Sequence, residues 1–306
     1  MPGFPGRALE FAVDKGVFMR YVVGYTPNER GADAVALASS LARAQDAVLD
    51  LVYVVDAHTP YSGLYPESTG ATPAEQSVLT AQAQSLALVP DDVEATFRAL
   101  PAESFPSGLI QAAGTDAGLI VVGASRNGLF KRFTVGSVAN GLLHASPVPV
   151  ALAPRGFNRT EPVTRFTLAT GQRSGADAAI ATAIGAANRR GVPLRLVSLV
   201  TLDAGTDVGG EATNAAHRHA NTVLSDAASR LPQGHNVTVE VAHGRSIEEA
   251  IDSLEWIDGE VVIIGSSRLA ERSKLFMGGT ANKILRALPV PMVVVPRDYD
   301  RADSMP

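Results

Sequence analysis

The 306 residues carry 46% hydrophobic and 19% charged side chains, with a formal net charge of -5 and a pI near 5.7. That balance belongs to a folded globular protein long enough for two domains of roughly 150 residues each, and the negative charge with only 6% aromatic residues argues against a nucleic-acid surface. Cysteine is absent, which excludes disulfides, thiolate metal sites and cysteine nucleophiles, and no apolar run approaches the roughly 20 residues of a membrane-spanning helix, so a cytoplasmic protein is expected.

The first 18 residues, with Pro2, Pro5, Glu10 and Asp14, lack the basic start and continuous apolar stretch of a signal peptide. They read as a poorly ordered extension or an appended leader, with Met19 as a natural start. Short β-branched apolar runs then alternate with Ala-rich helical stretches, the pattern of βαβ units around a buried parallel sheet. Strands are expected at 21–24, 49–55, 93–99, 119–123 and 149–153. A helix over 32–44 turns Val35, Leu37, Ala38 and Leu41 inward and Asp33, Ser40, Arg43 and Gln45 outward. Ser104 is an N-cap candidate. The stretch RGFNRTEPV over 155–163 breaks both periodicities with Gly156 and Pro162 and reads as a linker. Beyond it, strands are expected at 166–169, 194–200, 237–242, 261–265 and 292–295, Ser246 and Glu249 stand at capping-box spacing, and 298–306 form a tail.

The two halves repeat. Gly123 matches Gly265, Gly136 matches Gly278, Pro149 matches Pro291 and Pro154 matches Pro296, each pair 142 positions apart (123 to 265). GADA at 31–34 recurs at 175–178. Two domains of one α/β type are therefore expected, at 19–154 and 164–297.

In a doubly wound sheet, ligands lie beyond the carboxyl ends of the strands, where strand order reverses. At the end of the fourth strand the chain reads GASRNGLFKRFTVGSVANGLL from Gly123 and GSSRLAERSKLFMGGTANKIL from Gly265. Glycines let backbone N–H groups approach a phosphate, and a helix N-terminus adds partial positive charge. Ser137 or Thr280 could add a hydroxyl, although Gly136 and Ser137 also suit a plain tight helix entry. The strand, this loop, the following helix, the terminal SPVPVALAP and LPVPMVVVP, GADA, and Asp116 and Asp258 before the fourth strands together resemble the universal stress protein family over nearly all of 19–297.

The resemblance implies two tandem Rossmann-like (adenine nucleotide alpha hydrolase-like) domains, each a five-stranded parallel sheet of order 3-2-1-4-5. In one subgroup it implies ATP between strands one and four, held by G-2x-G-9x-G-S/T. Gly123, Gly136 and Ser137 fit that pattern, but Arg126 replaces the second glycine. In the second half Gly265 and Gly278 fit, Arg268 replaces glycine, and Gly279 stands where serine or threonine is expected, with Thr280 one step late. Nucleotide-binding members carry V-D-G-S after strand one, its aspartate beside the adenine; the matching positions here are Thr26 and Gly171. Arg126 with Lys131 and Arg132, and Arg268 with Arg272 and Lys274, read either as a cationic rim for phosphate or as side chains filling the triphosphate space. Three functions follow: a non-catalytic module binding a small ligand such as ATP or AMP, an ATP switch with slow hydrolysis, or an interaction scaffold with closed pockets.

No P-loop, H-x-G-H, S-G-G-x-D-S, G-x-S-x-G or HExxH motif occurs. His217 and His219, at i and i+2 of an expected helix, make a poor metal pair, while His243 closes the third strand of the second half, near the expected crevice. Both terminal strands are bounded by prolines, Pro147, Pro149 and Pro154 in one and Pro289, Pro291 and Pro296 in the other, which suits sheet edges. The family pairs domains through this strand about a two-fold axis, which in a tandem chain sets PVALAP against PMVVVP; whether two chains then form a homodimer is open.

Overall fold

The computed structural model describes residues 19–43, 45–56, 72–124, 136–170, 177–201, 236–266, 279–296 and 299, with isolated positions at 218, 221, 222, 225 and 229. The first half consists of β1 (Arg20–Tyr25), α1 (Glu29–Ala42), β2 (Val48–Asp56), α2 (Pro73–Leu86), β3 (Ala95–Ala102), α3 (Phe105–Ala113), β4 (Leu119–Gly123), α4 (Ser137–Ala145) and β5 (Val150–Ala153). The second consists of β6 (Arg165–Thr170), α5 (Asp177–Arg190), β7 (Leu194–Thr201), β8 (Val237–Gly244), α6 (Ile247–Asp252), β9 (Glu260–Gly265), α7 (Gly279–Ala287) and β10 (Met292–Val295). Among the described residues no helix is long and apolar enough to cross a membrane.

The strands form one ten-stranded sheet in the order β3-β2-β1-β4-β5-β10-β9-β6-β7-β8. Each half keeps the expected order 3-2-1-4-5 with parallel neighbours. The halves join where β5 meets β10 antiparallel, with Val293 opposite Ala151, Met292 opposite Leu152 and Val294 opposite Val150. Ala151 and Val293 are repeat equivalents, so the register centres a local two-fold on that pair. PVALAP and PMVVVP thus cover each other's edge.

Continuous apolar strands bury both faces of the sheet. Leu37, Leu41, Phe166, Leu168 and Ile180 pack on the face under α1 and α5. Leu109, Leu142, Leu143, Ile251 and Leu285 pack on the other, under α3, α4, α6 and α7. Ser104 caps α3, accepting from Ser107 N at 3.2 Å. Ser246 caps α6, accepting from Glu249 N at 3.1 Å, while the Glu249 carboxylate reaches one residue further back, to Arg245 N at 2.8 Å.

Three local expectations need correction. Helix α1 starts earlier than 32 because the Asn28 side chain accepts from Arg30 N and Gly31 N, at 3.0 and 3.4 Å. Strand β3 starts later than 93 because Val93 N closes a turn onto Pro90 O at 3.0 Å. Asp33 and Ser40 do not face solvent, since every residue of α1 from 33 to 42 is buried. The reason is the linker, which lies along the helix: Gly156 N donates to Asp33 Oδ2 at 3.1 Å, Ser40 Oγ donates to Glu161 O at 2.7 Å, and Arg43 donates to Thr160 O. From its middle Arg159 donates to Asp258 Oδ2 at 2.9 Å. The linker is a strap fastened to both halves.

Burial under this strap pushes the Asp33 carboxyl up from 3.8 to about 6; the Gly156 N–H opposes the rise and Glu29 adds to it. A carboxyl whose folded pKa exceeds its unfolded value binds its proton more tightly in the native state, so its contribution weakens stability as pH climbs from about 4 to about 6. The full rise corresponds to about 3 kcal/mol, which water reaching a half-buried group reduces to about 1–2 kcal/mol. Asp33→Asn keeps an acceptor for Gly156 and removes the charge. The variant is expected to be about 1–2 kcal/mol more stable than the wild type above pH 6 and equal to it below pH 4, read from urea unfolding across that range. A constant difference at all pH values would refute the titration account.

At the amino end of the sheet each half carries an ion-pair network, and the two are charge-reversed. Asp50 on β2 accepts from Arg20 at 2.8 Å and from Arg98 at 2.6 Å, and Arg20 also reaches Asp116 at 2.9 Å. Strand pairing makes Arg195 the equivalent of Asp50 and Glu240 the equivalent of Arg98. Arg195 pairs with Glu240 at 3.3 Å and with Glu260 at 2.7 Å, and Arg165 holds the second Glu260 oxygen at 2.5 Å. These networks pin the strand starts and leave the carboxyl ends for ligand.

Candidate functional site

Strand order reverses between β1 and β4, because β1 feeds α1 on one face of the sheet and β4 feeds α4 on the other. In a βαβ unit the helix N-terminus stands at the carboxyl end of its strand, so both helix starts point at the seam between these strands. Thr26 directly follows β1; its hydroxyl donates to Asn28 Oδ1 at 3.0 Å and its carbonyl accepts from Asn28 N at 2.7 Å. This turn presses the first turn of α1 onto the strand ends. A Cβ at Gly31 would lie 2.0 Å from Thr26 O, and a Cβ at Gly123 would lie 2.2 Å from Arg30 O. Both glycines are thus required by backbone-on-backbone packing, whatever else they do.

Gly136 is the N-cap of α4, with φ -78° and ψ 169°, and no side chain caps this helix. Among the described residues the first bond along it is Asn140 N to Gly136 O at 2.9 Å, and the N–H groups of 137–139 donate to none of them. Ser137 is exposed at the first helical position. Arg30, with its backbone against Gly123, has a buried Nε without a hydrogen-bond partner. No motif marks Arg30; the only available signal was a basic side chain in the first turn of a helix, where the dipole disfavours it.

In the second half, among the described residues, a Cβ on Gly265 would meet Ala179 Cβ at 3.5 Å, an ordinary contact. Helix α7 begins at Gly279, in register with Ser137 of α4, and Thr280 follows as its second residue. Ser266, next to Gly265, is buried with its hydroxyl unpartnered. Arg126, Gly171, Arg268 and Gly278, with Lys131, Arg132, Arg272 and Lys274, lie outside the described residues, as do His217 and His219. The structure therefore brings Thr26, Gly123, Gly136 and Ser137 to one end of the first half. His243 is not beside the second crevice as expected: β8 is an outer strand, separated from β6 by β7. Among the described residues no cluster of three or more histidine, aspartate or glutamate side chains could hold a metal ion.

The model of the universal stress protein family matches residues 18–154 and, a second time, 163–296. Universal stress proteins of Mycobacterium bovis and Mycobacterium tuberculosis are each 27% identical to the chain over 291 residues, covering 91% of it and 100% of their own length. The crystal structure of a universal stress protein from Archaeoglobus fulgidus matches with a TM-score of 0.58 at 18% identity, over 90% of this chain and 98% of that one, a likeness of fold.

Proposed function

Since the chain belongs to the universal stress protein family, we propose that it is a cytoplasmic stress-response module that acts by binding rather than catalysis, taking an adenine nucleotide, ATP or AMP, at the glycine loop of its first half. The observation that carries this reading is a pair of donors in the first turns of α4 and α1: the N-terminus of α4, which no side chain caps, and the buried Nε of Arg30, which has no hydrogen-bond partner. Donors from two elements, one carrying full positive charge, suit phosphate oxygens. Gly136 lets the ligand approach backbone N–H groups and Ser137 offers a hydroxyl, while Arg126 is read either as a cationic rim or as a plug. Thr26 places no carboxylate beside the base, so selectivity for adenine is expected to be modest. In the second half Gly265, Gly279 and Thr280 with Arg268 and Gly171 form a weaker counterpart.

A thermal-shift titration with ATP and AMP tests this. Nucleotide at 100 times its dissociation constant stabilises by about 2.7 kcal/mol, which raises the melting temperature of a domain of this size by roughly 5–10 °C. Arg30→Met is expected to weaken binding about tenfold, the value of a charge-assisted hydrogen bond. If millimolar ATP and AMP leave the melting temperature unmoved, the nucleotide reading fails and the scaffold reading takes its place. Arg126→Gly sorts the rim from the plug: weaker binding makes Arg126 a contact, tighter binding makes it an obstruction.

A further inference from the structure

Between the two halves, on the face of the sheet that carries α1 and α5, lies a pocket of about 370 Å³. Leu41 and Leu119 of the first half and Phe166, Ile263 and Val293 of the second make its apolar wall. Its polar atoms gather around one hydroxyl. Tyr21 Oη donates to Gln45 Oε1 at 2.6 Å and accepts from Arg190 Nη2 at 3.4 Å. The same hydroxyl also lies 3.2 Å from Met19 Sδ; with Oε1 as the closer acceptor, Gln45 Nε2 is turned away from Tyr21 and is buried without an acceptor. Arg190 gives its outer nitrogens to carbonyls, Nη2 to Leu41 O at 2.5 Å and Nη1 to Ala186 O at 3.2 Å, with its guanidinium 5.2 Å from the centre of the Phe166 ring. Its Nε is buried without an acceptor too.

No aspartate or glutamate lines the pocket among the described residues, while Arg189 adds a second cation. Burial accordingly lowers the Arg190 pKa from its ordinary value, with Tyr21 opposing the shift. Buried polar atoms normally find partners, and a buried charge normally finds a counter-charge. Here both unmet atoms are donors and the unmet charge is positive, inside an apolar space of ligand size. A cationic guest or a bare hydrocarbon would leave all of this uncompensated, and a neutral acceptor would meet the donors but not the charge.

We propose that this interdomain pocket binds a small amphipathic carboxylic acid, its carboxylate on Arg190 and Gln45 and its hydrocarbon body against Leu41, Leu119, Ile263 and Val293. Gln45 and Tyr21 belong to one half and Arg190 and Phe166 to the other, so the ligand bridges the tandem pair. This site is separate from the glycine loop and does not rest on the nucleotide reading.

Isothermal titration of the full chain with decanoate, 1-decanol and acetate tests it. Decanoate is expected to saturate a single site, with decanol and acetate weaker by about tenfold or more, since each lacks one part of what the pocket recognises. Arg190→Met should weaken decanoate about tenfold and leave decanol nearly unchanged. Because Arg190 also holds the Leu41 carbonyl, two further variants guard against a loosened fold. Gln45→Glu keeps the acceptor for the Tyr21 hydroxyl, replaces the unmet donor with a carboxylate that repels the ligand's own, and should weaken decanoate without lowering the melting temperature. Gly185→Leu projects a side chain from α5 where the nearest atoms belong to the flexible Arg189 guanidinium, at 2.9 Å, and should abolish binding while the protein stays folded. No saturation by decanoate, decanol binding as tight as decanoate, or undiminished binding in Gly185→Leu would each overturn the proposal.

Discussion

Glu260→Ala is expected to destabilise the protein by about 3–5 kcal/mol, the cost of leaving buried charges without their partner. Glu260 is fully buried and takes hydrogen bonds from Arg165 Nη2 at 2.5 Å, Arg195 Nη2 at 2.7 Å, Ile257 N at 3.1 Å and the Thr167 hydroxyl. Arg195 is itself buried, and once Glu260 is gone its only counter-charge among the described residues is the solvent-facing Glu240. Water cannot substitute where it cannot enter. The charge-reversed first half supplies the control, since Asp50→Ala leaves Arg20 and Arg98, whose side chains are 28% and 43% exposed and can rehydrate. A loss of about 1–2 kcal/mol is expected there. Trp256, the only tryptophan, lies 4.8 Å under the Arg195 guanidinium, so its fluorescence reports this network directly during denaturant unfolding. Equal midpoints for the two variants would show that the second network is not dry.

The parts of this architecture visible in the sequence are those written by neighbours along the chain. Apolar β-branched runs bounded by turn residues mark the strands, and the repeat spacing sets α4 and α7 in register at Ser137 and Gly279. Proline-bounded terminal strands announce an edge, and the edge is where β5 meets β10. What stayed hidden depends on residues far apart. The buried outer face of α1 needs the strap over 155–163, which no periodicity within the helix can reveal. The ion-pair networks did leave a trace: Asp50 interrupts LDLVYVV, and Arg195 interrupts LRLVSLV, on the strand face that also carries buried Val52 and Val197. A charge on the inner face of a buried strand demands a partner. In the crevice the glycines were readable, but their double duty was not, because Gly123 answers to Arg30, which reaches it only through the fold.

That double duty yields the second large expected effect. Gly123→Ala should cost about 2–3 kcal/mol, whereas Gly265→Ala, at the equivalent repeat position, should be neutral or stabilise by up to about 0.5–1 kcal/mol. At 123 the new methyl meets the Arg30 carbonyl oxygen at 2.2 Å, and backbone cannot step aside as a side-chain tip can. Relief requires the first turn of α1 to lift from β1 and β4, on a helix buried from 33 to 42. At 265 the nearest atom among the described residues is Ala179 Cβ at 3.5 Å, an ordinary contact for the methyl, and alanine also restricts the unfolded chain. The two variants also divide function differently. In Gly123→Ala, nucleotide binding and stability fall together and cannot be separated. In Gly265→Ala, a weakened thermal response to ATP at an unchanged unfolding midpoint would report ligand approach at the second crevice alone. Matching unfolding midpoints for the two variants would mean that Gly123 is not held by packing, and its glycine would then have to be explained by ligand.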